Sequence, residues 1–262
     1  MKVIGIIPSR YASSRFPGKP LVDINGKSMI CRVYEQAQKA TSLSDVIVAT
    51  DDERIFKEII SFGGKVVMTS AMHVNGTERC AEIAATSDAD VIINIQGDEP
   101  FVAPEQIDAL ASCFNKAETQ IATLIKQHPL NEELQNPARI KVVVDKNLKA
   151  LYFSRNVIPH QRAQPQVHVS GYGHPEKGSS NFEASKVTYY KHIGLYAYRK
   201  HVLLQLVKLA PTPLELAESL EQLRWLENGY PIQCAITTHE SISIDTPEDL
   251  QMVLERMKIN TL

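Results

Sequence analysis

The sequence predicts an α/β fold, a mixed, mostly parallel sheet with helices on both faces and a smaller β-rich part in its second half. Three observations predict it. Short apolar runs alternate with helix-period segments through the first half. Those runs are apolar at successive positions, as strands are when helices cover both faces of a sheet. The segments after the first, second and fourth runs are polar, which gathers them at the carboxyl edge where such sheets bind ligands.

In chain order, Val3–Ile7 is the first strand, followed by a loop to about Gly26 and a helix over Met29–Ala40. Val46–Ala49 is the second strand, ending in Thr50-Asp51-Asp52, and Glu53–Phe62 is a helix closed by Gly63-Gly64. Lys65–Met68 is a strand, Glu78–Thr86 a helix, and Val91–Ile95 a strand that runs into Gln96-Gly97-Asp98. A helix over Gln106–Asn115 completes the first half. The second half reads as strands at Ala122–Lys126, Lys141–Val144 and Ala150–Ser154, with Asp145-Lys146-Asn147 as a hairpin turn. His192–Tyr198 is a strand, Leu214–Asn228 a helix, Ile232–Thr237 a strand. Pro247–Met257 is a closing helix with Thr246 as cap and Pro247 in its first turn. Residues 160–188 are rich in Gly, Pro, Ser and His and lack a period, so they read as a long loop or arm.

A chain of 262 residues can bury a core without a metal or disulfide staple. With 44% hydrophobic and 22% charged residues it has a globular composition, which excludes a disordered or fibrous chain. Its 28 basic and 30 acidic residues leave no global positive field, so no nucleic-acid partner is expected. Cys31, Cys80, Cys113 and Cys234 form no C-x-x-C pair and sit in apolar surroundings, which reads as buried free thiols. No apolar run approaches the roughly 18 residues that span a bilayer, so no membrane insertion is expected. Met1-Lys2 leads straight into a strand rather than a signal peptide, so a cytoplasmic protein is the expectation.

The sharpest local signal is Pro8-Ser9-Arg10-Tyr11-Ala12-Ser13-Ser14-Arg15-Phe16-Pro17-Gly18-Lys19-Pro20. Residues 1–30 hold five Lys or Arg against one Asp, a local cationic patch in a weakly acidic chain. Arginine forks match phosphate oxygens bidentately, lysine supplies a point charge, and small residues let backbone amides approach an anion. The alternative is a solvated basic loop; its position between a buried strand and a helix favours phosphate. Pro20 follows Gly18-Lys19 and Ser13 stands where a first Walker glycine would be, so this is not a P-loop. No G-x-G-x-x-G follows the first strand, which argues against a dinucleotide.

Arg-x4-Arg-x3-Lys in that loop resembles the signature of nucleotidyltransferases that make CMP-activated acid sugars. Five further motifs narrow the resemblance: Asn75-Gly76-Thr77-Glu78-Arg79, Gln96-Gly97-Asp98-Glu99-Pro100, Ala150-Leu151-Tyr152-Phe153-Ser154-Arg155, Leu220-Glu221-Gln222-Leu223-Arg224 and Asp245-Thr246-Pro247-Glu248-Asp249. Together, and in this order along nearly the whole chain, they resemble the 3-deoxy-manno-octulosonate cytidylyltransferase (CMP-Kdo synthetase) family. The resemblance implies a Rossmann-like, GT-A-like nucleotidyltransferase fold in one domain over 1–262. Within it, 1–118 is the nucleotide-binding half and 119–262 the sugar-binding half, with an arm at about 120–190. It also implies a homodimer, an Mg2+ cofactor, CTP and an acid sugar as substrates, and a product that feeds lipopolysaccharide assembly.

Candidate residues follow from both sources. Arg10, Arg15 and Lys19 are the triphosphate cations. Asp98 and Asp245 each end an apolar run at the ligand edge, and carboxylates suit Mg2+. Read from residues alone, Asp98 also fits a turn at a strand end and Asp245 is better read as a helix cap; the resemblance makes both metal ligands. Gly76 and Thr77 precede a helix whose free amides can face base or ribose; the resemblance makes them cytosine contacts. Arg79 reads equally as a base or phosphate contact and as a helix-face charge. Gln96 and Asp98, two apart on extended chain, share a side, which puts Gln96 between ribose and sugar. Arg155 suits a carboxylate or an adjacent phosphate. His192 and Tyr196 share a strand face but read alone as a structural and a core residue, and Glu221 and Gln222 as a solvent-facing pair. The resemblance makes all five sugar contacts.

Two stretches depart from the family pattern. The segment between Pro159 and His192 is long, and His239-Glu240-Ser241-Ile242-Ser243-Ile244 stands where a glycine-bearing segment is common. Glu240 therefore offers a partner for the ammonium of an 8-amino-3,8-dideoxy-octulosonate, the alternative to Kdo; an exposed surface glutamate is the other reading. The remaining rivals are a uridylyl- or guanylyltransferase, a metal-dependent glycosyltransferase, for which Asp98-Glu99-Pro100 is a poor Asp-x-Asp, and a non-catalytic nucleotide-binding protein.

Overall fold

The computed structural model describes residues 1–12, 15–129, 131–161, 187–240 and 242–259. Most of the long loop read at 160–188, and Ser13 and Ser14 of the cationic loop, lie outside them.

Among the described residues nine strands form one sheet: β1 (Val3–Ser9), β2 (Asp45–Thr50), β3 (Val66–Met68), β4 (Val91–Asn94), β5 (Ile121–Gln127), β6 (Lys141–Val144), β7 (Ala150–Ser154), β8 (Tyr190–Arg199) and β9 (Ile232–Ile236). Seven follow the spatial order β3-β2-β1-β4-β8-β5-β9. The first four are parallel, as the continuous apolar runs require. β8 then enters antiparallel between β4 and β5, and β9 lies parallel to β5. Antiparallel pairings are thus as numerous as parallel ones, four of each, because the β6–β7 hairpin also hooks onto β8. The hairpin turn is where it was read: Asp145 Oδ1 accepts from the amides of Asn147 and Lys149, both at 2.8 Å. β3 differs from the expectation of a covered strand. It is a three-residue edge, with Val67 and Met68 exposed.

Strand alternation divides the core. Val3 and Ile7 point to one face of the sheet, packed with α1 (Met29–Gln38), α2 (Glu53–Ser61) and α4 (Pro104–Cys113) through Ile30, Ile55 and Leu110. Ile4 and Ile6 point to the other, against α3 (Gly76–Thr86), α5 (Lys200–Leu206) and α7 (Glu221–Glu227) through Cys80, Leu203 and Trp225. Burying each such isoleucine contributes about 1.5–3 kcal/mol. A third cluster, Ile24, Met29, Ile244 and Val253, seats α8 (Pro247–Ile259) beside the loop that follows β1.

Three helix readings change. The single helix over Leu214–Asn228 is two, α6 (Pro213–Glu218) and α7, broken at Ser219, whose φ of 51° interrupts the helix. α5 was not expected: it begins directly after β8 and no side chain caps it. Gly76 and Thr77 do not precede α3 but form its first turn, because Asn75 takes the cap with Oδ1 2.8 Å from the Glu78 amide. Cys31, Cys80 and Cys234 are buried free thiols as read, while Cys113 is only half-buried. Burial pushes Cys31 up to about 11 and Cys234 up to about 12, so neither is a thiolate nucleophile at neutral pH.

Candidate active site

The carboxyl edge of β1 and β4 opens into a cavity of about 310 Å3. Eight of the fourteen candidate residues line it: Arg10, Arg15, Lys19, Gly76, Arg79, Gln96, Asp98 and Asp245. The loop after β1 curls back on itself. Gly18 adopts φ 74° and donates its amide to the Tyr11 carbonyl at 3.0 Å. The Arg54 guanidinium stacks on the Tyr11 ring, 3.3 Å from its centroid, and pins the turn. Lys19 follows in a short 3-10 turn, Lys19–Leu21, pointing inward. The floor is tight. A Cβ on Gly97 would lie 2.8 Å from the Pro8 carbonyl oxygen, so only glycine fits there.

Cations and carboxylates meet at one point. The Lys19 ammonium donates to Asp98 Oδ2 at 2.8 Å and to Asp245 Oδ1 at 3.0 Å. The Arg15 guanidinium lies 3.3 Å from the same Asp245 oxygen. Asp98 and Asp245 come from distant segments, tied by the Ile244 amide donating to the Asp98 carbonyl at 2.9 Å. Asp245 is not the cap of α8. Thr246 is, with Oγ1 accepting from the Asp249 amide at 3.2 Å. That leaves the Asp245 carboxylate for the cavity. Among the described residues no cluster of three or more His, Cys, Asp and Glu could hold a metal. The Asp98–Asp245 pair nonetheless fits a hard divalent cation. Its donors are carboxylate oxygens, a cationic ammonium already sits between them, and phosphate and water would complete the shell.

Arg79 is neither an exposed helix-face charge nor a free phosphate fork. It is buried, with NH2 2.9 Å from Asp51 Oδ2 and NH1 2.5 Å from Thr69 Oγ1. Gln96 donates its side-chain amide to the Gly194 carbonyl of β8 at 2.8 Å. His73 and Asn75 also line the cavity and were not singled out from sequence. Asn75 had a signal, as the cap within a recognised motif. His73, 2.5 Å from Glu82 Oε2, had none, because it precedes the Asn75–Arg79 motif and its partner lies nine residues on, beyond that motif.

The other six candidates are not among the residues that line this cavity. Thr77 is buried and donates to Glu221 Oε2 at 2.7 Å, while Asn75 donates to Glu221 Oε1 at 3.1 Å. Burial raises the Glu221 carboxyl above its ordinary range. Gln222 is buried beside it on α7. His192 Nε2 is 2.9 Å from Thr123 Oγ1, and its ring packs against Phe153 and Tyr196, each at 5.2 Å. Desolvation pushes His192 down to about 3, so it is neutral at pH 7. Tyr196 is buried against Trp225, and burial raises its phenol. Arg155 donates to the carbonyls of Glu218 at 2.6 Å, Pro137 at 3.2 Å and Ser219 at 3.3 Å. Glu240 is not poised for a sugar ammonium. Its carboxylate is held by Lys126, at 2.6 Å, and by Lys191, in a separate cavity.

The cytidylyltransferase family model matches residues 4–242. This chain belongs to the cytidylyltransferase family. Among similar cytidylyltransferases, the 3-deoxy-manno-octulosonate cytidylyltransferase of Parabacteroides distasonis is 53% identical over 260 residues, 97% of each chain. That of Bacteroides thetaiotaomicron is 52% identical over 264 residues, 98% of this chain and 99% of that one. A solved structure of CMP:2-keto-3-deoxy-manno-octonic acid synthetase complexed with CTP superposes with a TM-score of 0.87 at 38% identity. It covers 99% of this cytidylyltransferase and 100% of that chain. Among the described residues no helix is long and apolar enough to cross a membrane.

Proposed function

We propose that this enzyme transfers CMP from CTP to the anomeric hydroxyl of 3-deoxy-D-manno-octulosonate (Kdo) and releases pyrophosphate. The observation that carries this reading is the convergence of Arg10, Arg15 and Lys19 with Asp98 and Asp245 in one cavity. Relatives near 50% identity bear the name of that reaction.

The guanidinium forks of Arg10 and Arg15 and the Lys19 ammonium hold the triphosphate. As pyrophosphate leaves, negative charge builds on its oxygens, and the same preorganised cations stabilise it. Base and ribose lie against Gly76 and Thr77 at the start of α3, over the Pro8–Gly97 floor. Arg79, fixed by Asp51, lends positive charge beneath them. Asp98 and Asp245 would hold a divalent cation, Mg2+, whose contribution when bound is to neutralise phosphate charge and align the reacting groups.

The sugar sits beyond Gln96, whose amide is fixed by β8, toward the wall of His192, Tyr196, Glu221 and Gln222. Neutral polar groups there suit hydroxyls. Arg155 commits three of its five N–H donors to carbonyls, which leaves two for the sugar carboxylate. Because Lys126 and Lys191 hold Glu240, that carboxylate does not wait for the ammonium of the 8-amino sugar, and Kdo is the preferred substrate. The active form is a homodimer in the cytoplasm; light scattering finding a monomer at micromolar concentration contradicts the first point, and cell fractionation checks the second.

Pyrophosphate release measured with CTP, Kdo and Mg2+ tests the reaction. Release is expected only with all three present and to fall sharply when UTP or GTP replaces CTP. No release with either Kdo or its 8-amino analogue would refute it.

A further inference from the structure

The position of Lys19 carries an inference about the order in which the cavity fills. It rests on the reading of Asp98 and Asp245 as the cation-holding pair. The site a divalent cation would take is occupied by the chain's own cation. The Lys19 ammonium sits between the two carboxylates, 2.8 Å from one and 3.0 Å from the other. Its side chain is only 14% exposed, so these contacts are shielded from water and salt. Arg15 lies against Asp245 from the outside.

Charge counting sharpens the point. Among the described residues the cavity wall carries three cations free of other acidic partners, Arg10, Arg15 and Lys19, against two carboxylates. It is already net positive. A divalent cation entering alone has to displace an ammonium, strand it nearby and add further positive charge. A triphosphate reverses each of these costs, because its oxygens accept the displaced ammonium and its charge offsets the metal. Lys19 stands where the exchange needs it: at the start of a short turn, with Gly18 before it in a left-handed conformation and two acceptors that can be traded for phosphate oxygens.

We infer that Lys19 is a placeholder cation. It holds Asp98 and Asp245 together in the nucleotide-free enzyme and excludes a divalent ion until a nucleoside triphosphate arrives to take over its ammonium. Metal and nucleotide therefore load as a linked pair, and the carboxylates do not capture divalent ions on their own. For the metal, Lys19 acts through the carboxylates as a positioning residue, a role separate from its contact with phosphate.

Equilibrium binding of Mn2+ alone, read by electron paramagnetic resonance of the free ion, tests this without turnover. The full-length wild-type protein is expected to bind Mn2+ weakly without nucleotide. Lys19→Met is expected to bind it tighter by roughly tenfold or more, because the competing ammonium is gone. Lys19→Arg keeps the charge and should stay weak, and Asp98→Asn combined with Lys19→Met should lose the gain. If Lys19→Met does not fold, the uncharged Lys19→Gln carries the same test. An unchanged Mn2+ affinity in the uncharged variants, or tight binding by the nucleotide-free wild type, overturns the inference. A separate control isolates the underlying reading: Asp98→Asn should weaken Mn2+ binding to the CTP-loaded protein. If it does not, the carboxylate pair is not the metal site, and that reading fails rather than the placeholder role alone.

Discussion

The two walls of the site are built on different physical terms. On the β1–β4 side, charges converge on open space: Lys19, Arg15, Asp98 and Asp245 are partly exposed and paired with each other across the cavity. On the β8–α7 side, polar groups are buried or half-buried, and most already hold a partner within the protein. Glu221 takes Asn75 and Thr77, His192 takes Thr123, and Arg155 takes three carbonyls. The first wall is arranged for ligands that bring charge, and its internal pairs are exchangeable. The second is a rigid surface whose members hold one another in place. Substitutions on the first should therefore act on turnover, and those on the second on stability and on the shape of the pocket.

The largest effect is expected from Asp98→Asn or Asp245→Asn. Each should lower kcat by orders of magnitude and leave the melting temperature nearly unchanged, since each carboxylate faces the cavity. If Asp245→Asn mainly lowers the melting temperature and keeps activity, the carboxylate serves the start of α8 and the open-wall description breaks. Next comes the floor between the walls. Gly97→Ala places a methyl 2.8 Å from the Pro8 carbonyl, against backbone that cannot yield cheaply. It should cost about 1–3 kcal/mol in chemical denaturation and weaken CTP binding measured by calorimetry.

How far each wall was legible in the sequence follows the same division. Arg10, Lys19, Asp98 and Asp245 sit where apolar runs give way to charge, and strand order alone carries such positions to one edge. The functional meaning of Asn75 and Glu221 depends on a contact across 146 residues, which no local pattern announces. Arg155 was readable as a cation but not as a clamp on carbonyls of residues 137, 218 and 219. The break between α6 and α7 escaped because Ser219 takes a left-handed conformation usually signalled by glycine. α5 escaped because it follows β8 with no capping side chain to mark its start. The sheet reads as mostly parallel from its first half, and β8, inserted between β4 and β5, together with the β6–β7 hairpin makes it evenly mixed.

A smaller effect sharpens the description of the second wall. His192 is held down to about 3 in the folded state against about 6.5 when exposed. The unfolded chain therefore binds the extra proton between those values, and stability that is fully present above pH 6.5 is lost as pH falls toward 3. Relative to His192→Gln, the wild type should lose roughly 1–2 kcal/mol more stability between pH 7 and pH 5 in denaturant titrations. Equal losses would mean that the imidazole is solvated and not part of a rigid wall. The smallest effect is expected at Glu240, outside both walls. Glu240→Gln should leave kcat/KM for Kdo within about twofold, as for a substitution away from substrate. A larger drop, or a reversed preference between Kdo and its 8-amino analogue, would bring that cavity into the sugar site.

The most direct test of the central claim is product analysis by mass spectrometry after incubating the protein with CTP, Kdo and Mg2+. The open, charge-convergent wall and the rigid polar wall together predict CMP-Kdo, with one pyrophosphate formed for each CTP consumed. CTP that is bound but returned intact, with no CMP-Kdo detected, would contradict it.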